Sequence, residues 1–339
     1  MRVAIDSVIF QLQKGRPLGI SRIWRELLPE LMAISPDIEF AFYERAGAPF
    51  PFKIPDNRRN SLPPYTWGEE AVRHIHADLF ISTYYTYAEG ISNLLYVYDM
   101  IPEQLGWAGL EWDAKRKVLE HADKIVAMSE TTLDSLRRHP GMAAKIVGVV
   151  SGGVNLNAFH PAPLEEMQQF RQATDLRGGF ILLVGRRGHY KNGNTIFPAL
   201  ANLPFPPAIL LAGGEAEIPP KPETIDVVYA ESLDDDELRA AYSAAMCLYY
   251  PSSLEGFGLP VLEAMACGCP VIVGPAVATR AFAVGLSLED PEDPEHVRTL
   301  LKKSMDVEIR ASLITQGLQR AQHYTWRAAA EQMRKAILS

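Results

Sequence analysis

Two glutamates eight positions apart, Glu255 and Glu263, enclose Gly256, Phe257, Gly258, Leu259 and Pro260 in the run SSLEGFGLPVLEAMACGCPVIVG. Glycine favours loop geometry and proline is accepted only in a helix's first turn, so a loop passes into a helix between the two carboxylates. A helix start presents unpaired N–H groups and the positive end of the macrodipole, and both attract phosphate. The two glycines let the backbone approach a diphosphate closely. A carboxylate does not bind phosphate, but it accepts hydrogen bonds from sugar hydroxyls. Carboxylates around an anion site suit a ligand with a diphosphate in the middle and a sugar at each end, which describes a nucleotide sugar. Either glutamate alone reads equally well as a loop residue or a partner of the helix dipole; the whole string carries the argument.

The elements around the string must hold it in place. Met246–Pro251 is short, apolar and aromatic, as a buried strand is. Leu259–Ala266 is a good helix former, Gly268 sits where a helix stops, and Pro270–Val273 reads as the next strand. Further upstream, FILLVGRRGHYKNGNTIFPAL gives a buried strand over Phe180–Val184, a loop from Gly185, and a helix expected to begin around Asn194. Arg186, Arg187 and Lys191 then lie past a strand's carboxyl end, where open α/β sheets bind ligands. A departing nucleoside diphosphate gains negative charge as the sugar bond breaks, so cations there stabilise the transition state more than the ground state. Each charge-assisted hydrogen bond is worth roughly 1.5–3 kcal/mol.

The string EGFGLPVLEAMACGCPVI resembles the signature of the retaining family 4 glycosyltransferases, in which two glutamates are separated by seven residues. The resemblance implies the GT-B fold, two Rossmann-like α/β domains with parallel sheets facing across a cleft, the nucleotide on the C-terminal one. It implies that Glu263 holds the donor ribose, that Glu255 touches the transferred sugar, and that Gly256, Phe257, Gly258 and Leu259 face the diphosphate. The GRRGHYKN segment is similar to the family's Arg and Lys diphosphate clamp, with either Arg186 or Arg187 in the arginine position. GRPLGISRIWREL resembles the family's N-terminal Gly-Ile-Ser-Arg segment, which places Gly19, Ser21 and Arg22 among the donor contacts. LLYVYDMIPEQLGW resembles a stretch in which histidine precedes an aspartate; here Tyr98 precedes Asp99. Asp99 is delivered to the end of a strand, to meet the acceptor or reacting sugar, or to hydrogen-bond nearby backbone. After Val273 the chain runs GPAVATRAFAVG, without the family's usual loop and glutamate, so a pocket trimmed near the nucleotide is expected.

The first half alternates strand and helix, as a parallel sheet requires. Strands are expected over Val3–Ile5, Ile38–Tyr43, Leu79–Ser82, Leu94–Tyr98, Ile125–Met128 and Ile146–Val149, and helices over Ile20–Ala33, Asp113–His121 and Thr131–Arg138. Pro49–Gly68 reads as a long loop and Ser151–Pro163 as a linker. The domains are therefore 1–160 for the acceptor, 161–322 for the nucleotide sugar, and 323–339 for an amphipathic helix led by Trp326. The resemblance implies that this last helix crosses back to the first domain. The acidic run Asp234–Glu237 reads as the first turn of a helix capped by Ser232 rather than a metal site, and metal-independent transfer is expected with no cofactor.

With 339 residues the chain is comfortable for two domains of about 150–170 residues. Its hydrophobic content of 47 % and charged content of 22 % are those of a globular protein. A net charge of −8 argues against a nucleic-acid partner. Three cysteines (Cys247, Cys267 and Cys269) lack metal-ligand spacing and suit a reducing compartment. No run reaches the roughly 20 apolar residues that span a bilayer, so a cytoplasmic protein is expected. Leu105, Trp107, Leu110 and Trp112 followed by Lys115, Arg116 and Lys117 suit either peripheral contact with the membrane's inner face or packing over the sheet.

The reading is a retaining, metal-independent hexosyltransferase that moves a hexose from a UDP- or GDP-sugar to a glycan or lipid-linked acceptor in polysaccharide or surface-glycan synthesis. Glu255, Asp99, Arg187 and Lys191 are its expected catalytic groups. A nucleotide-sugar epimerase and a silent nucleotide-sugar-binding module are the alternatives. No Gly-x-Gly-x-x-Gly follows a strand, so a dinucleotide-dependent oxidoreductase lacks its usual fingerprint.

Overall fold

The apolar run near the amino terminus becomes the strand Arg2–Asp6, flanked in parallel by Glu39–Arg45 and Leu79–Ser82, with Val3 opposite both Phe40 and Leu79. These strands read as near-continuous apolar runs because helices cover both faces of a parallel sheet. In this computed structural model, residues 1–14, 19–176, 178–201, 203–215, 217 and 220–339 are described. The seven-stranded first sheet has the order Arg59–Leu62, Glu39–Arg45, Arg2–Asp6, Leu79–Ser82, Ser92–Val97, Lys124–Ala127, Ile146–Val149. All its pairings are parallel.

The segment expected to be one long loop, Pro49–Gly68, is corrected by the structure. Arg59–Leu62 forms an edge strand on Glu39–Arg45, preceded by a 3-10 turn at Asp56–Arg58. An edge strand of Arg, Asn, Ser and Leu carries no apolar alternation, so the pattern gives no sign of it. The helix Gly19–Ile34 buries Ile23, Trp24, Leu27, Leu28 and Leu31, one face at helical spacing. Against it packs the last helix, Trp326–Leu338, which buries Trp326, Ala329, Ala330, Met333, Ala336 and Ile337.

The second sheet has six parallel strands in the order Val227–Ala230, Ala208–Ala212, Phe180–Val184, Cys247–Tyr250, Val271–Val273, Leu286–Ser287. This is the doubly wound order. It reverses between Phe180–Val184 and Cys247–Tyr250, so the loops leaving those two strands bracket the switch point at which such sheets take ligands. Beneath it, Ile181, Leu183, Ile209, Leu211, Tyr249 and Ile272 pack with Leu200, Val297 and Leu300.

The chain divides into two units, Met1–Gly153 with Trp326–Ser339, and Val154–Thr325. The divisions thus fall at 153/154 and 325/326, not at 160/161 and 322/323. Residues 154–162 stay with the second unit because Val154 N–H donates to Tyr324 O at 2.9 Å, Phe159 packs edge-on to Tyr242, and Ala162 N–H donates to Ser243 Oγ at 2.9 Å. The acidic helix also starts later than expected. Asp234, not Ser232, caps Asp235–Ala244, in a reciprocal capping box with Glu237.

Candidate functional site

Four loops leave the carboxyl ends of the second sheet, and short backbone contacts lock them together. Gly214 has a φ of +76°, and a Cβ there would lie 2.2 Å from Gly185 O, so the loops after Ala212 and Val184 touch only because Gly214 lacks a side chain. A Cβ on Gly274 would lie 2.3 Å from the carbonyl carbon of Pro251, which joins the loops after Val273 and Tyr250 in the same way. Ser253 N–H donates to Tyr190 O at 2.8 Å, and Asn192 Nδ2 donates to Ser253 Oγ at 2.7 Å and Pro251 O at 3.2 Å. Asn192 is left-handed (φ 52°), as is His189 (φ 51°). Two 3-10 turns, His189–Lys191 and Gly193–Thr195, precede the helix Ile196–Leu200, so the helix starts two residues after the expected Asn194.

This bracing brings Lys191 onto Glu255, with Nζ to Oε1 at 2.7 Å and side-chain exposures of 21 % and 8 %. The Lys191 ammonium also lies over the rings of Tyr190 (5.2 Å) and Tyr250 (5.8 Å). Tyr250, read from sequence only as strand, is a site residue that the pattern missed. Burial first, and then the charge and hydrogen bond of Glu255, hold its phenol protonated far above the ordinary value; Tyr190 and Glu263 add to this. An aromatic at the last position of a strand was its only sequence signal.

The helix Leu259–Ala266 begins at Gly258 (φ 109°) with no side-chain cap and no acid in its first turn. Phe257 is stacked on Phe282 at 4.5 Å, and its carbonyl accepts from Thr279 Oγ1 at 3.0 Å. The GPAVATR segment therefore serves as the wall behind the loop: Arg280 bonds Gly274 O and Leu288 O, both at 2.9 Å. Glu263 is buried, and its Oε2 accepts from Tyr242 Oη at 3.1 Å. Gly256 and Leu259 lie in the same loop and helix start.

The two arginines separate. Arg187 is 3 % exposed, and its guanidinium donates to the carbonyls of Gly213, Glu215 and Glu217, stitching the neighbouring loop in place. Arg186 is exposed. Burial alone would push Glu215 up, but the backbone N–H of Arg187 and its own amide, with the charges of Arg187 and Arg186, hold its carboxyl below the usual carboxylate range.

In the first unit, Gly19 opens its helix at φ +35°. Residues 15–18, ahead of it, lie outside the described residues. Ser21 is buried and its N–H donates to Gln13 Oε1 at 3.2 Å; Arg22 is buried as well. Tyr98 is a structural hub: its hydroxyl accepts from Trp24 Nε1 at 2.6 Å and donates to Thr83 O at 2.8 Å. Burial holds its phenol protonated well above the ordinary value, which disfavours proton transfer there. Asp99 Oδ1 accepts from Ile101 N–H at 3.0 Å, and its carbonyl takes the buried Lys115 Nζ at 2.8 Å. Its side chain is 34 % exposed, so it combines a backbone role with access to solvent.

Residues 165–306, within the second unit, match the family model described as glycosyl transferases group 1. The fold is that of the GT-B glycosyltransferases. A sucrose-phosphate synthase from Thermosynechococcus elongatus superposes with a TM-score of 0.74 over 100 % of this chain and 98 % of that one, at 20 % identity. HepE of Anabaena, solved in complex with UDP and glucose, superposes with a TM-score of 0.73 over 100 % and 99 % of the two chains, at 13 % identity. The D-inositol 3-phosphate glycosyltransferase of Streptomyces bingchenggensis is 29 % identical over 239 residues, 64 % of this chain and 52 % of that protein. The chain spans about half the length of the curated relatives it matches. Among the described residues no helix is long and apolar enough to cross a membrane.

Proposed function

We propose that the protein is a retaining, metal-independent hexosyltransferase of the family 4 type, which takes a hexose from UDP or GDP and passes it to a glycan or lipid-linked saccharide in polysaccharide or surface-glycan assembly. The observation that carries this reading is the Lys191–Glu255 pair, held at 2.7 Å beside a helix start that no side chain caps. An anion seated there meets backbone N–H groups, the helix dipole and Lys191 together. HepE, of the same fold, is a UDP and UDP-glucose complex, which favours a nucleotide-sugar donor.

In this reading the diphosphate lies over Gly256–Leu259, Lys191 and Arg186 neutralise it, and Arg187 acts by holding the loop rather than by contact. Glu263 accepts the ribose hydroxyls and Glu255 those of the hexose. The bond from C1 to the phosphate oxygen breaks, the acceptor hydroxyl oxygen bonds to C1 on the same face, and its proton passes to the departing diphosphate. The first unit supplies the acceptor surface around Asp99, with Gly19, Ser21 and Arg22 as further donor contacts.

Calorimetric titration with UDP, GDP, ADP and dTDP tests the site, on the native protein and on Glu263→Gln. Selective binding of one nucleotide that the substitution weakens is the expected result. No binding of any nucleotide would sink the reading. Glu255→Gln should slow transfer more than about tenfold, or about 1.4 kcal/mol of barrier; near-normal turnover would remove Glu255 from the chemistry.

A further inference from the structure

The carboxyl edge of the first sheet, where Asp99 stands, also bears a cluster of aromatic side chains. Three of the five tryptophans, Trp67, Trp107 and Trp112, stand there half-exposed, whereas Trp24 and Trp326 are buried. Trp67 packs on Tyr65 at 5.1 Å and on Tyr84 at 6.5 Å, and Trp107 lies 5.4 Å from Trp112. Tyr84 follows the strand Leu79–Ser82, and its hydroxyl donates to the half-exposed carboxylate of Glu111, next to Trp112. Asp99 adds a second carboxylate, close enough to raise the phenol of Tyr85 beyond the effects of burial and of Tyr84.

The cations that this stretch itself carries are paired with carboxylates, as is Arg45, which lies 5.5 Å from the Tyr65 ring and bonds Asp6 at 2.6 Å. Each of the four Lys and Arg residues between Tyr65 and His121 is ion-paired: Arg73 with Glu89 at 2.9 Å, Lys115 with Glu103 at 2.7 Å, Lys117 with Glu70 at 2.9 Å, and Arg116 with Asp113. Lys115 is only 1 % exposed. Of the basic run, Lys115 is buried, while Arg116 and Lys117 are each paired with a carboxylate at 42 % side-chain exposure.

Phosphate recognition uses cations and converging N–H donors. A phosphorylated ligand here would instead face Glu111 and Asp99. Half-exposed aromatic rings offer area to the C–H faces of a pyranose, and ionised carboxylates accept from its hydroxyls. A few placed polar groups among aromatic side chains are what orients a small ligand.

We propose that this surface binds an uncharged saccharide, and that the acceptor is accordingly a neutral glycan terminus rather than a sugar phosphate. The second clause rests on the transferase reading; the first does not.

Because the surface holds most of the exposed indole, intrinsic tryptophan emission reports on it directly. The full chain is titrated with maltotriose, mannotriose, glucose 6-phosphate, inositol 1-phosphate and phosphatidylglycerol vesicles. At least one neutral trisaccharide should shift the emission at a concentration about tenfold or more below either phosphate. Trp67→Ala should abolish the shift, Trp67→Phe should retain part of it, and Trp112→Ala should weaken it, with urea midpoints confirming that each variant folds. Tighter binding of a sugar phosphate, a response to vesicles alone, or no response to any probe overturns the proposal. The nucleotide titration separates the two readings. Nucleotide binding without saccharide binding leaves the transferase standing and removes this surface. Saccharide binding without nucleotide binding leaves the surface and removes the transferase, and with it the acceptor clause.

Discussion

Gly258 stands where the loop bearing Glu255 turns into the helix bearing Glu263, and replacing it by alanine combines two separate penalties. At φ +109° an L side chain is strained, at a cost of about 1–3 kcal/mol. Its Cβ would also lie 2.8 Å from Thr279 Oγ1 and 3.3 Å from Thr279 Cγ2. Thr279 is buried, and to retreat it must give up its bond to Phe257 O at 3.0 Å, so overpacking adds about 1–3 kcal/mol. Gly258→Ala should therefore lose about 2–6 kcal/mol, a large part of a typical domain's 5–15 kcal/mol or so. The second substitution Thr279→Ala removes both clashing atoms but leaves the backbone strain and one carbonyl unbonded, so the double variant should recover only part of the loss. Urea unfolding followed by circular dichroism reads both, and nucleotide titration on the folded fraction reads the helix start. A Gly258→Ala variant within about 0.5 kcal/mol of the native protein, the usual scatter of neutral substitutions, would refute the strain argument. A double variant no more stable than the single one would refute the clash.

The remaining predictions concern charge and protonation. Arg187→Met should destabilise the protein by roughly 1.5 kcal/mol or more, because three carbonyls lose a charged donor. Arg186→Met should leave the urea midpoint unchanged and weaken nucleotide binding instead; the reverse pattern would exchange the two roles. Burial pushes the Cys247 thiol from 9.0 up to about 12. It is neutral in both states at lower pH; above pH 9 the unfolded chain ionises first, so stability should fall as pH rises from 9 toward 12. Buried tyrosines such as Tyr84 and Tyr98 act with the same sign. Native protein at pH 8 should resist a thiol reagent that labels all three cysteines in urea, and rapid native labelling would show that the thiols are not buried as described.

In the second unit the signature and the strand before the Arg–Lys loop were legible in sequence, for a physical reason, whereas Ala208–Ala212, Val227–Ala230 and Leu286–Ser287 drew no expectation. A parallel strand buried on both faces must be apolar, and a loop that receives an anion at a helix start needs glycine and tolerates proline only beyond the cap. Phe180–Val184 and Leu259–Ala266 therefore match the structure residue for residue. The choice between Arg186 and Arg187 was not legible. Both are arginines past the same strand, and only the placing of the Gly213, Glu215 and Glu217 carbonyls decides which guanidinium turns inward. Asp99 shows the same limit, since neither its bond to Ile101 nor the approach of Lys115 is implied by its place after a strand. Arg59–Leu62 and the small pair Ala71–Val72 with Tyr87–Ala88 were missed because short strands at an edge carry no apolar period. The linker boundary shifted because Phe159 and Val154 make their contacts late in the chain, with Tyr242 and Tyr324.

The two units position their site residues by different means, and that difference bears on how each could change. In the second unit the loops are set by backbone against backbone, at Gly185 with Gly214 and at Pro251 with Gly274. A side chain added at Gly214 or Gly274 meets main chain that has nowhere to go, so the geometry under Glu255 and Lys191 tolerates little variation. In the first unit the corresponding edge is shaped by side chains: Tyr98 between Trp24 and Thr83, and Tyr84 on Glu111. Trp24, Tyr98 and Tyr84 are buried, so that edge is fixed by side-chain packing rather than by main chain. On the proposed transferase reading, a half whose loops are held by backbone, and another whose face is built from side chains, is the arrangement in which one donor chemistry can be kept while the acceptor changes.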